Sequence, residues 1–515
     1  MDLSYTPQRP AATRFEMARP VRAAERYLLW LGFVLTGYVL LSRGFAYWGV
    51  PPLFIGEITL GIGLVVAARA GRWAPLLAMP AVWILLALVG LTLVHTVPGI
   101  ARWGLDAPRD AMQIGYAAFA FIAATLLIAR PERLRSALHF YGRYALIVLS
   151  VIWAIYLVFK TFSASLPAMP GAPHVKIFEA KGGDIMVQLT GITLFVVMGF
   201  MKRTPLVITA LVLNIGLIAV SNRGGMVAFA MGCTLAWMLR PPEARVGKLI
   251  YAFVVLVIVG ILVGPLLSIH GGGRTISVEQ LWTNIVSIFG QGGDHLDGTK
   301  KWRIDWWEKI YDYTVNGPYF WTGKGFGINL ARSDGFLVDP TLRSPHNGHM
   351  TILARMGVPG AALWVALQLA WTAAIARTWF AARAAGRTRW MGLLAALSGF
   401  WLAFHLNAAF DVYFEGPMGG VWFWTVFGVG LAATWIYRNR PEVLDDLPGA
   451  AAPAAPAPAP AWGWGAGAAE ASGEVPAGEA PAGEAPALAV PQWNAPPASG
   501  DGAARPAVPT WTPVR

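Results

Sequence analysis

The chain has 515 residues, of which 56% are hydrophobic and only 13% charged, with a mean hydropathy of +0.51. So little charge does not cover the surface of a soluble domain of this length, which excludes an ordinary soluble fold. The net charge of +12 would suit nucleic acid, yet the basic residues fall in short clusters between long apolar blocks, so the excess reads as membrane topology. Cys233 is the only cysteine, which rules out an intrachain disulfide framework and a cysteine-built metal site.

Segment 1–26 is polar and basic and reads as a cytoplasmic N-terminal segment. It shows no cleavable signal peptide, and the apolar run behind it is long enough to span and stay as an uncleaved anchor. The blocks that follow predict an all-α fold, a polytopic membrane helical bundle with about 12 transmembrane helices. The spans fall at 27–47, 53–68, 75–94, 110–129, 137–160, 186–201, 205–220, 224–239, 248–267, 350–376, 390–410 and 416–437. Every second connection is basic, from Arg69 and Arg72 through Arg130, Arg133 and Arg135 to Arg438 and Arg440. The positive-inside rule then puts both termini in the cytoplasm of an inner-membrane protein.

Three connections fall on the opposite, periplasmic side: 95–109, 161–185 and 268–349. The last is too long for a structureless connector and its charges balance, which predicts a helical periplasmic cap between the ninth and tenth helices. Within it, 302–313 reads as a helix with Arg303, Trp306, Trp307 and Ile310 on one side. Its aromatic side is expected at the bilayer interface or under the bundle. The membrane domain thus covers 27–437, and the Ala/Pro-rich stretch 448–515 reads as a disordered cytoplasmic tail.

Charged groups are costly in the hydrocarbon core, and those inside the spans gather toward the outer ends: Glu57, Arg109, Asp110, Arg223, Arg355, Asp411 and Glu415. His405 is a partial exception. This one-sidedness predicts a site at the outer interface. Ser221-Asn222-Arg223-Gly224-Gly225 opens the eighth helix; Ser or Asn can cap it, Arg223 offers a bidentate fork for phosphate, and the paired glycines allow close backbone approach. The blander alternative is a tight turn whose arginine snorkels to lipid headgroups. Ser344-Pro345-His346-Asn347-Gly348-His349 opens the tenth helix, with Ser344 as N-cap, Pro345 at N1 and His346 in the first turn. An uncharged imidazole there can act as a general base, or the histidine can merely hydrogen-bond a loop carbonyl. His349 lies one turn on, but no carboxylate stands at ligand spacing, so no metal is expected. Arg303 is a second candidate phosphate contact. Gly323-Lys324-Gly325-Phe326-Gly327 looks like a phosphate loop but follows no strand, and reads as a flexible turn.

Taken in order, these stretches resemble the O-antigen ligase and O-antigen polymerase superfamily. The resemblance rests on the Arg-Gly motif at 221–225, Arg303-x-x-Trp306, the run from Pro318 to Gly327, and His346-Asn347 with Leu353, Gly357 and Gly360 behind it. It covers about 27–437, departs at Gly348-His349-Met350, and adds the tail. It implies an inverting glycosyltransferase, without metal or other cofactor, that moves a glycan from undecaprenyl diphosphate to an acceptor hydroxyl on a glycan or glycolipid. Carried over, His346 deprotonates that hydroxyl while Arg223 and Arg303 hold the diphosphate. Asn347 joins these as a substrate-binding candidate, and Arg109, Lys324, Asp411 and Glu415 are pocket candidates by position alone. Ligase, polymerase and protein O-oligosaccharyltransferase share this donor chemistry. A flippase or transporter of lipid-linked sugars is the competing class, but neither an inverted repeat nor a polar lining through the membrane is visible.

Overall fold

The computed structural model describes residues 12–219, 222–244, 269–271, 274–276, 294–339 and 342–445. The expected helix at 248–267, the tail 448–515 and Ser221 lie outside the described residues. The first half of the chain forms α1 (Ala12–Leu41), α2 (Arg43–Ala46), α3 (Ile55–Ala70), α4 (Ala74–Leu77), α5 (Pro80–Trp103), α6 (Asp106–Gly115), α7 (Ala118–Ala129) and α8 (Arg133–Phe162). There follow α9 (Gly182–Val197), α10 (Pro205–Ala219), α11 (Arg223–Met238), α12 (Asp294–Val315) and α13 (Leu330–Asp334). The last are α14 (Gly348–Ala384), α15 (Thr388–Phe410), α16 (Pro417–Asn439) and α17 (Glu442–Asp445).

Among the described residues, 7 stretches are long and apolar enough to cross a membrane: Arg22–Leu41, Pro80–Trp103, Asp106–Ala129, Arg133–Phe162, Gly348–Ala384, Thr388–Phe410 and Pro417–Asn439. This is fewer than the about 12 expected from apolar runs of spanning length. The difference lies in helices such as α3, α9, α10 and α11, which form where expected but are only 15 or 16 residues long. α1 begins at Ala12, well before the apolar run, because Ala, Glu and Arg are good helix formers that extend it. The expected connection at 95–109 is also mostly helical. α5 runs through Pro98 to Trp103 and stops at Gly104, whose φ of 56° breaks it. Among the described residues, three two-stranded pairings qualify the all-α expectation: Gly49–Val50 with Leu53–Phe54, Ala168–Met169 with Ala172–Lys176, and Ile269–Gly271 with Arg274–Ile276. Each pairs strands close in sequence, to which helical periodicity is blind.

Burial separates centre from rim. In α16, 89% of the apolar window is buried, against 22% in α5, so α16 is an axis of the bundle and α5 an outer wall. Small residues let the helices around the site meet at backbone distance. A Cβ on Gly399 of α15 would stand 2.4 Å from the Gly232 carbonyl oxygen of α11, and one on Gly225 of α11 would stand 3.0 Å from Gly183 Cα of α9.

The helix expected at 302–313 extends over Asp294–Val315. Its Trp306 and Ile310 are fully buried in a small second core with Leu330, Ala331 and Ala354 of α14, so the aromatic side packs against the bundle's own helix. Trp306 stacks on Phe336 at 5.2 Å and donates from Nε1 to Asp334 Oδ2 at 2.7 Å. The Gly-rich turn behind it is fixed rather than flexible. Gly357 breaks α14 with φ 63° and ψ −165°, and the turn docks into that break. There the amides of Lys324 and Gly325 donate to the carbonyls of Ala354 and Arg355, at 2.8 and 3.0 Å, and Val358 donates to Phe320 at 2.8 Å.

Candidate active site

Three helix starts and one helix end meet here. Asn222 is the N-cap of α11, its Oδ1 accepting from the Gly225 amide at 2.7 Å, which makes Arg223 the first helical residue. The paired glycines behind Arg223 serve packing: Gly225 lies on Gly183, and a Cβ on Gly224 would stand 3.1 Å from Phe410 Cβ. Arg223 therefore sits beside the turn at the end of α15.

The start of α14 differs from expectation. Its N-cap is Asn347, whose Oδ1 accepts from the amides of His349 and Met350 at 3.0 and 3.1 Å, and its first residue is Gly348. Ser344 and Pro345 are thus not N-cap and N1, and His346 precedes the helix rather than lying in its first turn. An asparagine reaching two amides is the stronger cap, and it moves the boundary three residues on. His346 is held at φ 52°, a left-handed conformation rare for a side-chain-bearing residue. Trp307 of α12 steadies this turn by donating from Nε1 to the Pro345 carbonyl at 3.0 Å, and Trp302 packs at 6.2 Å from the imidazole centroid.

Asp411, just past α15, faces this histidine. His346 Nδ1 lies 3.5 Å from Asp411 Oδ1, and Lys181 Nζ, at the start of α9, lies 3.9 Å from Oδ2. Arg303 of α12 donates from Nη1 to the Phe410 carbonyl at 3.0 Å, which brings its guanidinium next to Asp411. Burial pushes the Asp411 carboxyl up, but His346, Lys181 and the Val412 amide outweigh it and hold it below the usual carboxylate range. Burial works against the Lys181 ammonium, yet Asp411 and Asp184 hold it above its ordinary value. Burial lowers the Arg303 guanidinium, with Asp411 opposing. The result is a partly open cluster of one carboxylate, one imidazole and two cations, with Arg223 on the adjoining helix start. His346 Nδ1 stands 3.5 Å from the carboxylate without a formed hydrogen bond, close enough for the pair to tighten when the imidazole gains a proton.

The remaining candidates are engaged elsewhere. Lys324 is bound to Asp334 and to Ser333 Oγ, with its Nζ 4.3 Å from the Tyr313 ring centroid. Arg109 pairs at 3.0 Å with Asp106 and at 3.4 Å with Asp110, half exposed. Asn347 is occupied as a cap. Asp110 accepts from Arg343 and Arg355, each at 3.0 Å, and from the Gly327 amide at 3.2 Å. Glu415 accepts from Thr351 at 2.7 Å, and its burial raises its carboxyl. Glu57 accepts from the Phe54 amide at 3.2 Å, at the start of α3. His349 is turned away from His346: its Nδ1 accepts from Trp364 at 3.1 Å and its Nε2 lies 3.0 Å from the His405 carbonyl. His405 Nε2 in turn lies 3.1 Å from Gln368 Oε1. Lys181 escaped the sequence reading altogether, since nothing local marks a lysine in the loop before α9 as the partner of a carboxylate in a turn so far along the chain.

Residues 206–365 match a family model described as O-antigen ligase. That stretch holds Arg223, Arg303 and His346, whereas Lys181 and Asp411 lie outside it and reach the cluster only through the fold. No curated protein matches the chain.

Proposed function

Because the chain belongs to the O-antigen ligase and polymerase superfamily, we propose that it is a membrane glycosyltransferase that moves a glycan from undecaprenyl diphosphate to an acceptor hydroxyl. The observation that carries this reading is the convergence of His346, Asp411 and Arg303 from three separate parts of the chain. In the proposed step the acceptor oxygen attacks the anomeric carbon while His346 takes its proton, and Asp411 orients the imidazole and favours the charge it gains. The bond from the anomeric carbon to the diphosphate oxygen breaks, and the leaving diphosphate keeps the electron pair. Arg223 and Arg303 stabilise the negative charge that grows there. Displacement from the opposite face inverts the anomeric centre. The basic clusters of the connections support a site on the periplasmic face of the inner membrane, with both termini in the cytoplasm.

The test compares surface and carrier-linked glycans in a deletion strain complemented with wild-type or His346→Ala protein. Long glycan stranded on the carrier with bare lipid A–core identifies a ligase. Single repeats capping the core, or lost exopolysaccharide with normal lipopolysaccharide, identify a polymerase. Transfer from carrier-linked donor in detergent, where no gradient exists, separates an enzyme from a flippase. Full rescue by His346→Ala removes the proposed base and with it this mechanism.

A further inference from the structure

A cavity among the described residues lies away from the cluster just described. It has a volume of about 660 Å³ and sits among α1, α7, α8, α9, α15 and α16. Two of those helices fix its position. α15 reaches the candidate site at Phe410 but lines the cavity near its other end, at Leu393 and Leu397; α9 starts at the site with Asp184 and lines the cavity a few turns on, at Gly191 and Phe195. The cavity therefore occupies the opposite half of the bundle. Its volume falls in the range of about 300–1,000 Å³ typical of ligand pockets, well above an ordinary packing void.

Its chemistry is that of an amphiphile's container. The deep wall is aliphatic and aromatic, with Leu31, Leu35, Leu127, Phe140, Leu397 and Val426, and gives water few of the polar partners it needs. The mouth is charged: Glu25, Arg130, Glu132 and Arg133 line it where α7 turns into α8. Both acids there are already matched. Glu132 lies 3.2 Å from Arg440, and Glu25 stands 3.9 Å from Arg130 across a half-exposed gap. An exposed pair that long is weak, so a phosphate can take the place of Glu25 on Arg130 at little cost. The same end of the bundle carries Arg26, Arg72 and Arg135, which gives it a positive face toward the adjacent leaflet.

We propose that this cavity is a binding site for one anionic glycerophospholipid of that leaflet, with an acyl chain between α1, α8 and α16 and the phosphate on Arg130. Charge complementarity at the mouth selects the headgroup and the apolar wall holds the chain. The site is distinct from the transfer site and does not depend on the glycosyltransferase reading.

The full-length chain, purified in detergent, is incubated with phosphatidylglycerol, phosphatidylcholine of the same acyl chains, or undecaprenyl phosphate, and retained lipid is counted by native mass spectrometry. The wild type is expected to keep one phosphatidylglycerol, roughly fivefold over phosphatidylcholine, the preference one surface arginine supplies. Arg130→Glu should erase that preference while lipid is still bound, and Ala396→Trp, which fills the cavity from α15, should abolish retention. Ala137→Trp fills it from α8 and serves if Ala396→Trp does not fold. Equal retention by wild type and both filled variants would mean lipid bound only around the rim, and would overturn the proposal. So would equal retention of the two phospholipids by the wild type, or preferred retention of undecaprenyl phosphate, which would make the cavity a seat for the carrier's tail.

Discussion

Two clusters of arginine and aspartate lie near one another in this protein and are built on opposite terms. Around Asp110, every charge is answered: Arg343, Arg355 and the Gly327 amide converge on one buried carboxylate, and Arg355 also donates to the carbonyls of Gly325 and Ile328. Around Asp411 the contacts are long, 3.5 Å to His346 and 3.9 Å to Lys181, and the histidine sits in a strained backbone conformation. The same residue types make an anchor where the ion pairs are short and converge on one carboxylate, and the proposed reactive site where they are long. The anchor ties α6, α14 and the Gly-rich turn into one body, and the site opens beside it.

The sharpest way to break this comparison is to remove the proposed base. His346→Ala should lower glycan transfer by about 10²- to 10⁴-fold and leave thermal unfolding of the detergent-purified protein unchanged. Arg355→Ala should do the reverse in kind: it takes the most buried partner from Asp110, leaving Arg343 and the Gly327 amide, and should cost about 1.5–3 kcal/mol of stability, seen as lost yield and a lower unfolding midpoint. Arg303→Lys keeps the charge but loses the planar fork, and should cost about 10²-fold in turnover; wild-type turnover would remove Arg303 from the diphosphate site.

Asp411→Asn tests the electrostatics. The folded carboxyl is held below its ordinary range, so its contribution to stability is present above that range and is lost as the pH falls through it toward the folded value. The asparagine variant should lose this acid-side dependence, measured as unfolding midpoint against pH. The smallest effect is expected from Arg109→Ala, which removes a half-exposed guanidinium whose pairs are worth below about 1 kcal/mol, with transfer unchanged. A large loss of transfer there would return Arg109 to the substrate site.

The helical architecture was legible because apolar blocks of that length have little use except to span a membrane. Arg223 and His346 could be singled out because each stands near a helix start in a polar stretch, and Arg303 because it lies on the cap helix; their roles belong to the proposal. The exact start of α14 was not, because Ser344 and Asn347 both have capping chemistry and only the folded turn decides between them. Lys324 and Arg109 looked like substrate contacts by position, but position cannot tell a lysine aimed at substrate from one already bound to Asp334. Asp411 could be noticed and not assigned; Lys181 could not be noticed. Their pairing depends on how α9 and α15 pack, which the close approach of Gly225 to Gly183 helps to set and no local pattern encodes.

The joint between Arg303 and the end of α15 constrains how the site can change over evolutionary time. Arg303 is tied to the end of α15 through the carbonyl of Phe410, not through its ring. Every amino acid brings that carbonyl, so this contact fixes the path of the backbone at position 410 and leaves its side chain to the packing on Gly224. A survey of paired substitutions would find no partner for Arg303 at this joint. The record of the constraint would lie in the unvarying length of the turn from Asp411 to Gly416, where an insertion or deletion would carry the carbonyl and the neighbouring carboxylate out of register together.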